Sequence, residues 1–599
     1  MSTSDLDPLS IANEWLQRLS IAGESKDVQA FVDLFVPNGW LRDFLCFSWD
    51  FRSLADHSKI AAYLSEKVEN GTRFSEAGLH DIKLETTSTL GGPSVFPLPL
   101  DPTSNGVQAT FEFSLLSPPR RGRGFVRLVH GPDAQWRAFT LFTSLEDIKG
   151  HEEPRGRPLG IYPELATWEE VRAANASTIE SDPTVLVVGG GQTGLQCAAR
   201  LGRLGIRALV VDKNARIGDP WRNRYSSLTL HNSAIYCAFA YQQWPDTYPQ
   251  YIPKEKVADF VEAYAIFQEL TIWTSSIVLP TPTYDPITKR WTVTIERKGE
   301  EITLTPKHII MCTGTTGKPY VPEMRDVNKF KGIIYHSDRH DSGAQLKGKR
   351  VVVVGACNAG HDICADAVAK GAQSVTMLQR SATCVASVHT INKALGDMGY
   401  NEKLAIDDAD FASQSLPQLL TLQVSAGGVT AQIKEADRKM LEGLEKAGFR
   451  LNWELTPGGG EVGLLGFYLA RAASGSMVDM GCAQLIIDGK VKVEHGEINS
   501  YESDGVVLGD GSKLPADAVV FATGYHPPIN NLTAIFGDEI TNKIGQRVWG
   551  MDDEGEMMKA YRPTGQEGLW IGMGAFVFAR FHSKYLALQI LAQELGQSK

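Results

Sequence analysis

The sequence lacks the features of several protein classes. Its eight cysteines among 599 residues form no C-x-x-C pair and show no metal-ligand spacing with histidines, so we expect free thiols, a reducing compartment and no metal. No uninterrupted apolar run approaches the roughly 20 residues that a membrane-spanning helix needs. The segment MSTSDLDPLS has neither the basic nor the apolar region of a secretory signal. The sequence therefore predicts a cytoplasmic protein without a membrane span.

Positive charge is also scarce. The formal net charge of −11 repels polyanions, which argues against a nucleic-acid partner. The one basic cluster, Arg120, Arg121 and Arg123 in SPPRRGRG, is interpreted as a solvated hairpin turn. At roughly 150 residues per domain, the length predicts about four domains.

The first 150 residues and the segment after them differ in pattern. Residues 9–35 have helical hydrophobic spacing, which predicts a helical hairpin. Residues 107–115 alternate between apolar and polar, and FVRLV and WRAFTLF follow, which predicts an antiparallel meander. Residues 151–183 are rich in Pro, Gly, Glu and Arg, with one short helical stretch near TWEEVRAA, and are interpreted as a linker.

The run VLVVGGGQTG (185–194) begins a complete β-α-β fingerprint, because a helical segment and the strand ALVVD follow it. Gly189 permits the tight turn, Gly191 lets a pyrophosphate approach the backbone, and Gly194 lets the helix pack on the strand. Asp212, about twenty residues on, can accept both ribose hydroxyls. Against a 2′-phosphate ~4 Å away, this carboxylate would cost about 4 kcal/mol at an effective dielectric of 20. The first fold therefore predicts an unphosphorylated ribose.

A second turn, VVVVGACNAG (351–360), is also followed by a helical segment and a strand. We expect Gly355, Asn358 and Gly360 to bind the second dinucleotide. Cys357 stands where the fingerprint has glycine, so its side chain must point away from the pyrophosphate or push it outward.

The end of the second strand distinguishes the two turns. Where Asp212 stands in the first fold, the second has Arg380 and Ser381. Arginine can fork onto a 2′-phosphate and serine can donate to it, which favours NADPH over NADH. The alternative for Arg380 is an ordinary surface charge.

The segments around the first fold resemble flavin-containing monooxygenases. G-x-x-W-R (218–222), Y-x-x-L-x-L-H (225–231) and W-P-x-x-Y-P-x-Y (244–251) match the plant YUCCA type in the same order, and F-x-G-x-x-x-H (330–336) matches the core of the class. Four residues beyond that core, His340 replaces the aromatic residue of the class. The N-terminal helices and curled sheet, with GWLRDFLCFSWDFRS (39–53), are similar to the cone-shaped α+β domain of the nuclear transport factor family, as fungal flavoproteins carry it.

The resemblance implies the fold class: α/β, with two Rossmann-type domains for FAD and NADPH after a small α+β cone. The domains expected are residues 1–150 (cone), 151–183 (linker), 184–345 (FAD, first part), 346–505 (NADPH, with a divergent insert) and 506–599 (FAD, C-terminal part). The cone is interpreted as a structural or dimerising module, which allows a homodimer. A small-ligand site inside it is the alternative.

The resemblance also implies roles for single residues. Trp221 and Arg222 lie beside the FAD, although Trp221 is equally explained by core packing, and His231 or Asn232 faces the reactive edge of the flavin. His336 is expected to brace the interdomain linker rather than to act as an acid or base.

Further roles concern the crossings between domains and the last helix. The two A-T-G-like segments, Cys312-Thr313-Gly314 and Ala522-Thr523-Gly524, are similar to the family's crossings, which places Thr523 and Gly524 near the cofactor. The last helix aims its N-terminus at the flavin pyrimidine. There Arg580 and His582 either reinforce the positive charge or simply form a polar helix start.

The resemblance implies an NADPH-dependent monooxygenase. NADPH reduces FAD, the reduced flavin forms a C4a-hydroperoxide with O2, and one oxygen atom passes to a small organic substrate without metal or protein nucleophile. Heteroatom oxidation, oxidative decarboxylation of a 2-oxo acid and Baeyer–Villiger insertion all remain open. The rivals are a non-catalytic flavoprotein and a disulfide reductase, but the cysteine spacing disfavours the reductase.

Overall fold

The computed structural model of the chain describes residues 6–98, 101–131, 133, 135–154, 156–157, 160 and 166–598. The α-helices, in chain order, are α1 Pro8–Ser25, α2 Val28–Val32, α3 Asp56–Ser65, α4 Arg73–Ala77, α5 Trp168–Ser181, α6 Gln192–Arg203, α7 Asp219–Arg222, α8 Lys254–Phe267, α9 Asn358–Ala369, α10 Val388–Asp397, α11 Ile406–Gln414, α12 Gln418–Val424, α13 Thr430–Ala436, α14 Arg438–Lys446, α15 Gly463–Arg471, α16 Cys482–Ile487, α17 Ile529–Ile544 and α18 Phe576–Glu594.

The strands, in chain order, are β1 Phe35–Phe44, β2 Phe51–Ala55, β3 Lys67–Val68, β4 Gly71–Thr72, β5 His80–Leu84, β6 Ser94–Leu98, β7 Asp101–Leu115, β8 Arg120–His130, β9 Trp136–Ile148, β10 Val185–Val188, β11 Ala208–Val211, β12 Thr271–Trp273, β13 Ser276–Val278, β14 Thr283–Asp285, β15 Arg290–Arg297, β16 Glu300–Leu304, β17 His308–Met311, β18 Ile333–His336, β19 Arg350–Val354, β20 Ser374–Gln379, β21 Cys384–Ser387, β22 Ser476–Asp479, β23 Val491–His495, β24 Ile498–Glu502, β25 Gly505–Leu508, β26 Lys513–Pro515, β27 Ala518–Phe521 and β28 Leu569–Ile571. Among the residues described, no helix combines the length and the apolar character that crossing a bilayer requires.

The N-terminal region is a curled sheet packed on helices, with the strand order β2-β1-β9-β8-β7-β5 and with β6 also paired to β7. The antiparallel pairs β7–β8 and β8–β9 confirm the meander. The two helices expected in residues 9–35 are present, although α2 is little more than one turn. The sheet interior is filled by aromatic rings: a Cβ at Gly124 would lie 2.1 Å from the Phe111 ring, and one at Gly122 would lie 2.2 Å from the Phe113 ring. This packing supports the structural interpretation of the cone rather than a ligand site inside it.

The interpretation of the basic cluster as a solvated turn was wrong. Arg120 is buried and donates to the carbonyls of Leu45 and Cys46 at 2.9 and 3.2 Å. Arg123 forms an ion pair at 2.6 Å with Asp408 of α11. The turn occupies only residues 116–119, and the arginines lie on β8, where neighbouring segments cover them. A charge count along the sequence cannot reveal acceptors that lie hundreds of residues away.

The linker prediction concerned residues 151–183, of which 155, 158–159 and 161–165 lie outside the described residues. The helical stretch near TWEEVRAA is α5, which starts with a capping box between Thr167 and Glu170. It therefore extends further than the short stretch expected.

Two parallel sheets follow, one for each glycine-rich turn. The first has the order β12-β11-β10-β17-β28, and the second has the order β18-β27-β19-β20-β23. Their central strands are buried apolar runs, as expected for parallel strands covered on both faces. Because β28 comes from the end of the chain, the first sheet is closed only after the second has been completed. The strands β18 and β27 pair within the second sheet. We therefore propose that the second nucleotide domain begins before β18 rather than after residue 345, and that it ends after β27 rather than before residue 506.

Residues 388–471 contribute helices α10–α15, an insert between β21 and β22, which pair with each other in parallel. We call residues 388–475 the insert. Its helix α11 contacts α18, and the N-terminal sheet holds the same helix through Arg123. The insert therefore joins the N-terminal region to the first nucleotide fold.

Candidate functional site

The first glycine-rich turn joins β10 to α6, and its three glycines differ in what surrounds them. A Cβ at Gly189, where φ is +109°, would lie 2.4 Å from the Cys312 carbonyl oxygen, and one at Gly194 would lie 1.9 Å from the carbonyl oxygen of Gly189. Both positions therefore need glycine because of the protein itself. A Cβ at Gly191 would meet nothing within 4 Å. The open space there, at the N-terminus of α6, fits a pyrophosphate.

The second turn repeats this arrangement. A Cβ at Gly355, where φ is +121°, would lie 2.3 Å from the Ala522 carbonyl oxygen, and one at Gly360 would lie 2.2 Å from the Gly355 carbonyl oxygen. Cys357 is the N-cap of α9 in place of glycine. Burial raises the pKa of its thiol, and the nearby backbone N–H of Gly475 acts in the opposite direction. The sulfur therefore lies beside the insert.

Asp212, the predicted ribose contact, holds the first turn. Its Oδ2 accepts from the Gly190 N–H at 2.6 Å, and its Oδ1 accepts from the backbone and side-chain nitrogens of Asn214, both at 2.7 Å. A carboxylate has about four lone-pair sites, so acceptor capacity remains for ribose hydroxyls. The hydrogen bond between Asp212 and the Gly190 amide was not predicted from the sequence.

Arg380 and Ser381 follow β20 and are exposed. Arg380 forms an ion pair with Glu497 at 3.1 Å, and the two side chains are 69% and 67% exposed. Exposed pairs contribute at most about 1 kcal/mol, so Arg380 can leave Glu497 for a stronger anion. Its place at the strand end is compatible with the predicted 2′-phosphate contact.

The two nucleotide folds meet at His231. Its Nε2 lies 3.2 Å from Oδ2 of Asp362, on α9, and the Tyr225 hydroxyl donates to the same carboxylate. Burial would lower the pKa of His231, but the hydrogen bond and charge of Asp362, helped by Asn358, outweigh it and leave the pKa raised. Burial likewise opposes ionisation of Asp362, yet His231 and Tyr225 hold its pKa below the ordinary value.

The structure thus brings together His231, one of the two residues that the resemblance assigned to the flavin edge, and Asn358, which the second turn assigned to the second dinucleotide. Asn232 lies beside His231 in the same loop, and its carbonyl oxygen is 4.0 Å from the Cys237 sulfur. The Asn358 side chain accepts from the Val478 N–H at 2.9 Å. No role was predicted from the sequence for Asp362 or Tyr225. Asp362 follows Asn358 by one helical turn and so lies on the same face of the helix, and this spacing could have identified it.

His336 braces the crossing between the folds. Its Nε2 lies 3.0 Å from the Gly524 carbonyl oxygen, so this nitrogen must carry the hydrogen, and its Nδ1 can accept from the Asp338 N–H at 3.2 Å. The Thr523 hydroxyl donates to the Tyr320 carbonyl on the neighbouring crossing. Both ring nitrogens of His336 are therefore used inside the linker, which favours bracing over acid–base chemistry.

His340, which departs from the class pattern, is fully enclosed. Its Nε2 lies 3.0 Å from Asp366 of α9, and its Nδ1 lies 2.9 Å from the Tyr335 hydroxyl. It stacks in parallel with the Tyr335 ring at 6.0 Å. The imidazole thus takes the place of the aromatic residue of the class and connects β18 to α9 through its two hydrogen bonds.

Trp221 and Arg222 end the short helix α7. The Trp221 ring stacks at 6.1 Å on Phe576, the first residue of α18. Arg222 donates to the Ile217 carbonyl at 2.6 Å and pairs with Glu262 of α8 at 2.8 Å. Trp221 therefore lies where the last helix begins, whereas the Arg222 guanidinium is engaged in holding α7 to α8.

Arg580 and His582 are not a solvated helix start. Arg580 is fully buried, pairs with Asp410 of the insert at 2.6 Å, and donates to the carbonyls of Tyr236 and Ala238. Burial, with the nearby charge of Arg42, lowers the pKa of His582 to about 3, so this imidazole is neutral and packs against Phe578. Arg580 instead joins α18, the insert and the loop that follows Asn232.

All eight cysteines are free thiols, as expected. Cys197 and Cys312 are distant in sequence but neighbours in space, since a Cβ at Gly572 would lie 3.6 and 2.9 Å from their sulfurs. Burial raises the pKa of Cys312 well above the ordinary value. Reactive thiols need a thiolate in a partly exposed place, so this pair does not revive the reductase interpretation.

Comparisons with known proteins find similar sequences and similar folds. The family model described as flavin-binding monooxygenase-like matches residues 182–441. Indole-3-pyruvate monooxygenase YUCCA1 of Oryza sativa subsp. japonica is 26% identical over 362 residues, 60% of this chain and 81% of that protein. The probable indole-3-pyruvate monooxygenase YUCCA9 of Arabidopsis thaliana is 28% identical over 348 residues, covering 57% and 74%.

Among solved structures, cyclohexanone monooxygenase from Rhodococcus sp. Phi1 bound to NADP+ has a TM-score of 0.50 and 16% identity, and the match covers 69% of this chain and 85% of that one. This likeness shows a shared fold. Flavin monooxygenases of this family use FAD and NADPH, and both glycine turns are shaped for dinucleotides. Residues 182–441 therefore belong to the flavin-binding monooxygenase-like family, and the comparisons support a flavin-dependent monooxygenase.

Proposed function

We propose that the protein is an NADPH-dependent monooxygenase that transfers one oxygen atom of O2 to a small organic substrate. The main support for the proposal is the pair of glycine turns, each of which packs against a segment that crosses between the domains. The pair His231 and Asp362 joins the two folds. When bound, NADPH supplies the reducing equivalents and the flavin activates O2.

FAD is assigned to the first fold, where Gly191 leaves room for the pyrophosphate and Asp212 retains acceptors for the ribose. NADPH is assigned to the second fold, with Gly355, Asn358 and Gly360 at the turn. Arg380 and Ser381 are the proposed contacts of its 2′-phosphate. The NADP+ in the Rhodococcus structure supports the second assignment.

The residues of the chain orient the two cofactors and exclude water. His231 holds a proton at Nε2 against Asp362, which fixes the loop of residues 231–240 to the second fold. His336 fixes the crossing through Gly524. The aromatic side chains of Tyr468, Trp549 and Phe578 pack together beside the start of α18 and shield that end of the first fold from solvent.

The substrate class is tested with purified protein and a panel of amines, sulfides, ketones and 2-oxo acids. The 2-oxo acids are included because the curated relatives are indole-3-pyruvate monooxygenases. The proposal predicts that one class accelerates NADPH consumption and lowers hydrogen peroxide release, with an oxygenated product. Absence of any NADPH oxidation by flavin-loaded protein would favour a non-catalytic flavoprotein.

A further inference from the structure

The N-terminus of the last helix lies beside the first nucleotide turn. Gly572, just after β28, is in contact with that turn, since a Cβ there would lie 3.0 Å from the Thr193 side chain. The chain then passes Gly574, at φ +118°, and begins α18 at Phe576. The N-cap residue, Ala575, has no side-chain oxygen for the amides of the first turn. These amides and the helix dipole therefore favour a negative group at this point.

One side chain from the insert reaches this helix start. The Ala575 N–H donates to the Tyr468 hydroxyl of α15 at 2.9 Å. A tyrosine hydroxyl both accepts and donates, and among the described residues nothing accepts the hydrogen of Tyr468. Burial raises the pKa of Tyr468, and the Ala575 amide acts in the opposite direction, so the phenol stays neutral and keeps that hydrogen.

The position of Tyr468 is well defined. Trp549 Nε1 donates to the Tyr468 carbonyl at 3.1 Å. The ring of Tyr468 packs edge-on against Trp549 at 5.6 Å and at a tilt against Phe578 at 5.3 Å. A Cβ at Gly574 would meet the Phe578 Cβ at 3.0 Å and the Trp549 ring at 3.2 Å, so a side chain there would displace these rings. Tyr468 is thus a fixed donor at a helix N-terminus, outside the residues 182–441 that match the family.

We propose that Tyr468 is a flavin-contacting residue, whose hydroxyl donates a hydrogen bond to the flavin ring beside the first amides of α18. This inference rests on the proposed function, because it needs FAD in the first fold. A neutral donor at this place stabilises the negative charge of the reduced ring more than the neutral oxidised ring. The insert therefore helps to set the reduction potential of the flavin.

The test is Tyr468→Phe, which keeps the ring and its packing and removes only the hydroxyl. The reduction potential and visible absorption spectrum of the bound flavin are measured in the purified holoenzyme, together with thermal unfolding. Because Tyr468→Phe loses a hydrogen bond to the charged reduced ring, we expect its affinity for reduced flavin to fall about tenfold relative to its affinity for oxidised flavin. This change lowers the reduction potential by about 30 mV. Tyr501→Phe is the matched control, because that buried hydroxyl lies in the second fold.

A Tyr468→Phe enzyme with the potential and spectrum of the wild type would overturn the inference, even if its unfolding temperature fell, because capping of Ala575 alone explains lost stability. An equal shift in Tyr501→Phe would overturn it too. Wild-type protein that binds no FAD would instead remove the proposed function, and this inference with it. A lower potential in Tyr468→Phe alone, with FAD retained, supports it.

Discussion

Replacing Gly191 with alanine separates the needs of the fold from those of the cofactor. Gly191 has extended backbone, φ −83° and ψ −175°, which any residue adopts, and its Cβ would meet nothing within 4 Å. Stability without FAD should therefore stay the same or rise by about 0.4–1 kcal/mol through lower entropy of the unfolded chain. The pyrophosphate, however, would meet the new methyl group.

The expected loss in FAD binding follows from the contacts that the methyl group prevents. Losing one hydrogen bond to a charged phosphate costs about 1.5–3 kcal/mol, so FAD should bind about 10- to 150-fold more weakly. Thermal unfolding of the apoprotein and fluorescence titration with FAD measure the two effects. Gly194→Ala is the control, because its Cβ would lie 1.9 Å from the Gly189 oxygen and should destabilise the apoprotein itself. Wild-type FAD affinity in Gly191→Ala would refute the assignment of the first turn.

Three further predictions concern the second fold and the insert. Arg380→Ala should raise KM for NADPH far more than for NADH in steady-state assays, and equal effects would remove the phosphate assignment. Asp410→Asn leaves the charge of Arg580 buried without a counter-ion, so the free energy of unfolding, measured with denaturant, should fall by about 3–5 kcal/mol. A fall of less than about 1 kcal/mol would contradict the buried pair. Asp362→Asn tests the pH dependence of the pair with His231, in denaturant unfolding across pH.

The sign of this pH dependence follows from the two pKa shifts. The raised pKa of His231 gives stability that is complete below its unfolded value of about 6.5 and is lost as pH rises through the folded value. The lowered pKa of Asp362 gives stability that is present above about 3.9 and is lost as pH falls through the folded value. The cost of Asp362→Asn should therefore be largest near pH 5–6 and shrink at alkaline pH. A cost independent of pH would contradict the ion pair.

The sequence predicted the parts of the fold that depend on local pattern. The two turns could be recognised because Gly194 and Gly360 are required by backbone contacts within their own β-α-β units, and these glycines stand at the spacing of the fingerprint. The meander of β7 to β9 could be recognised from alternation and turn residues.

The rest depended on contacts between distant segments. Arg123 was interpreted as solvated because Asp408 lies 285 residues away. The role of Arg580 was left open between a charge near the flavin and a polar helix start, because nothing identified Asp410 as its partner. Tyr468 stands in a stretch without a readable motif, and only the fold brings it to Ala575. Long-range pairs of this kind leave no periodicity in the sequence, so the resemblance to a family could not supply them.

The proposed function requires that one chain hold a flavin and a nicotinamide nucleotide close enough to react. Anaerobic mixing of flavin-loaded protein with NADPH, followed by absorbance of the oxidised flavin, tests it most directly. We expect one FAD per chain and rapid bleaching of the flavin by NADPH, with slower bleaching by NADH. Protein that takes up no FAD on reconstitution, or flavin that NADPH does not reduce, would contradict it.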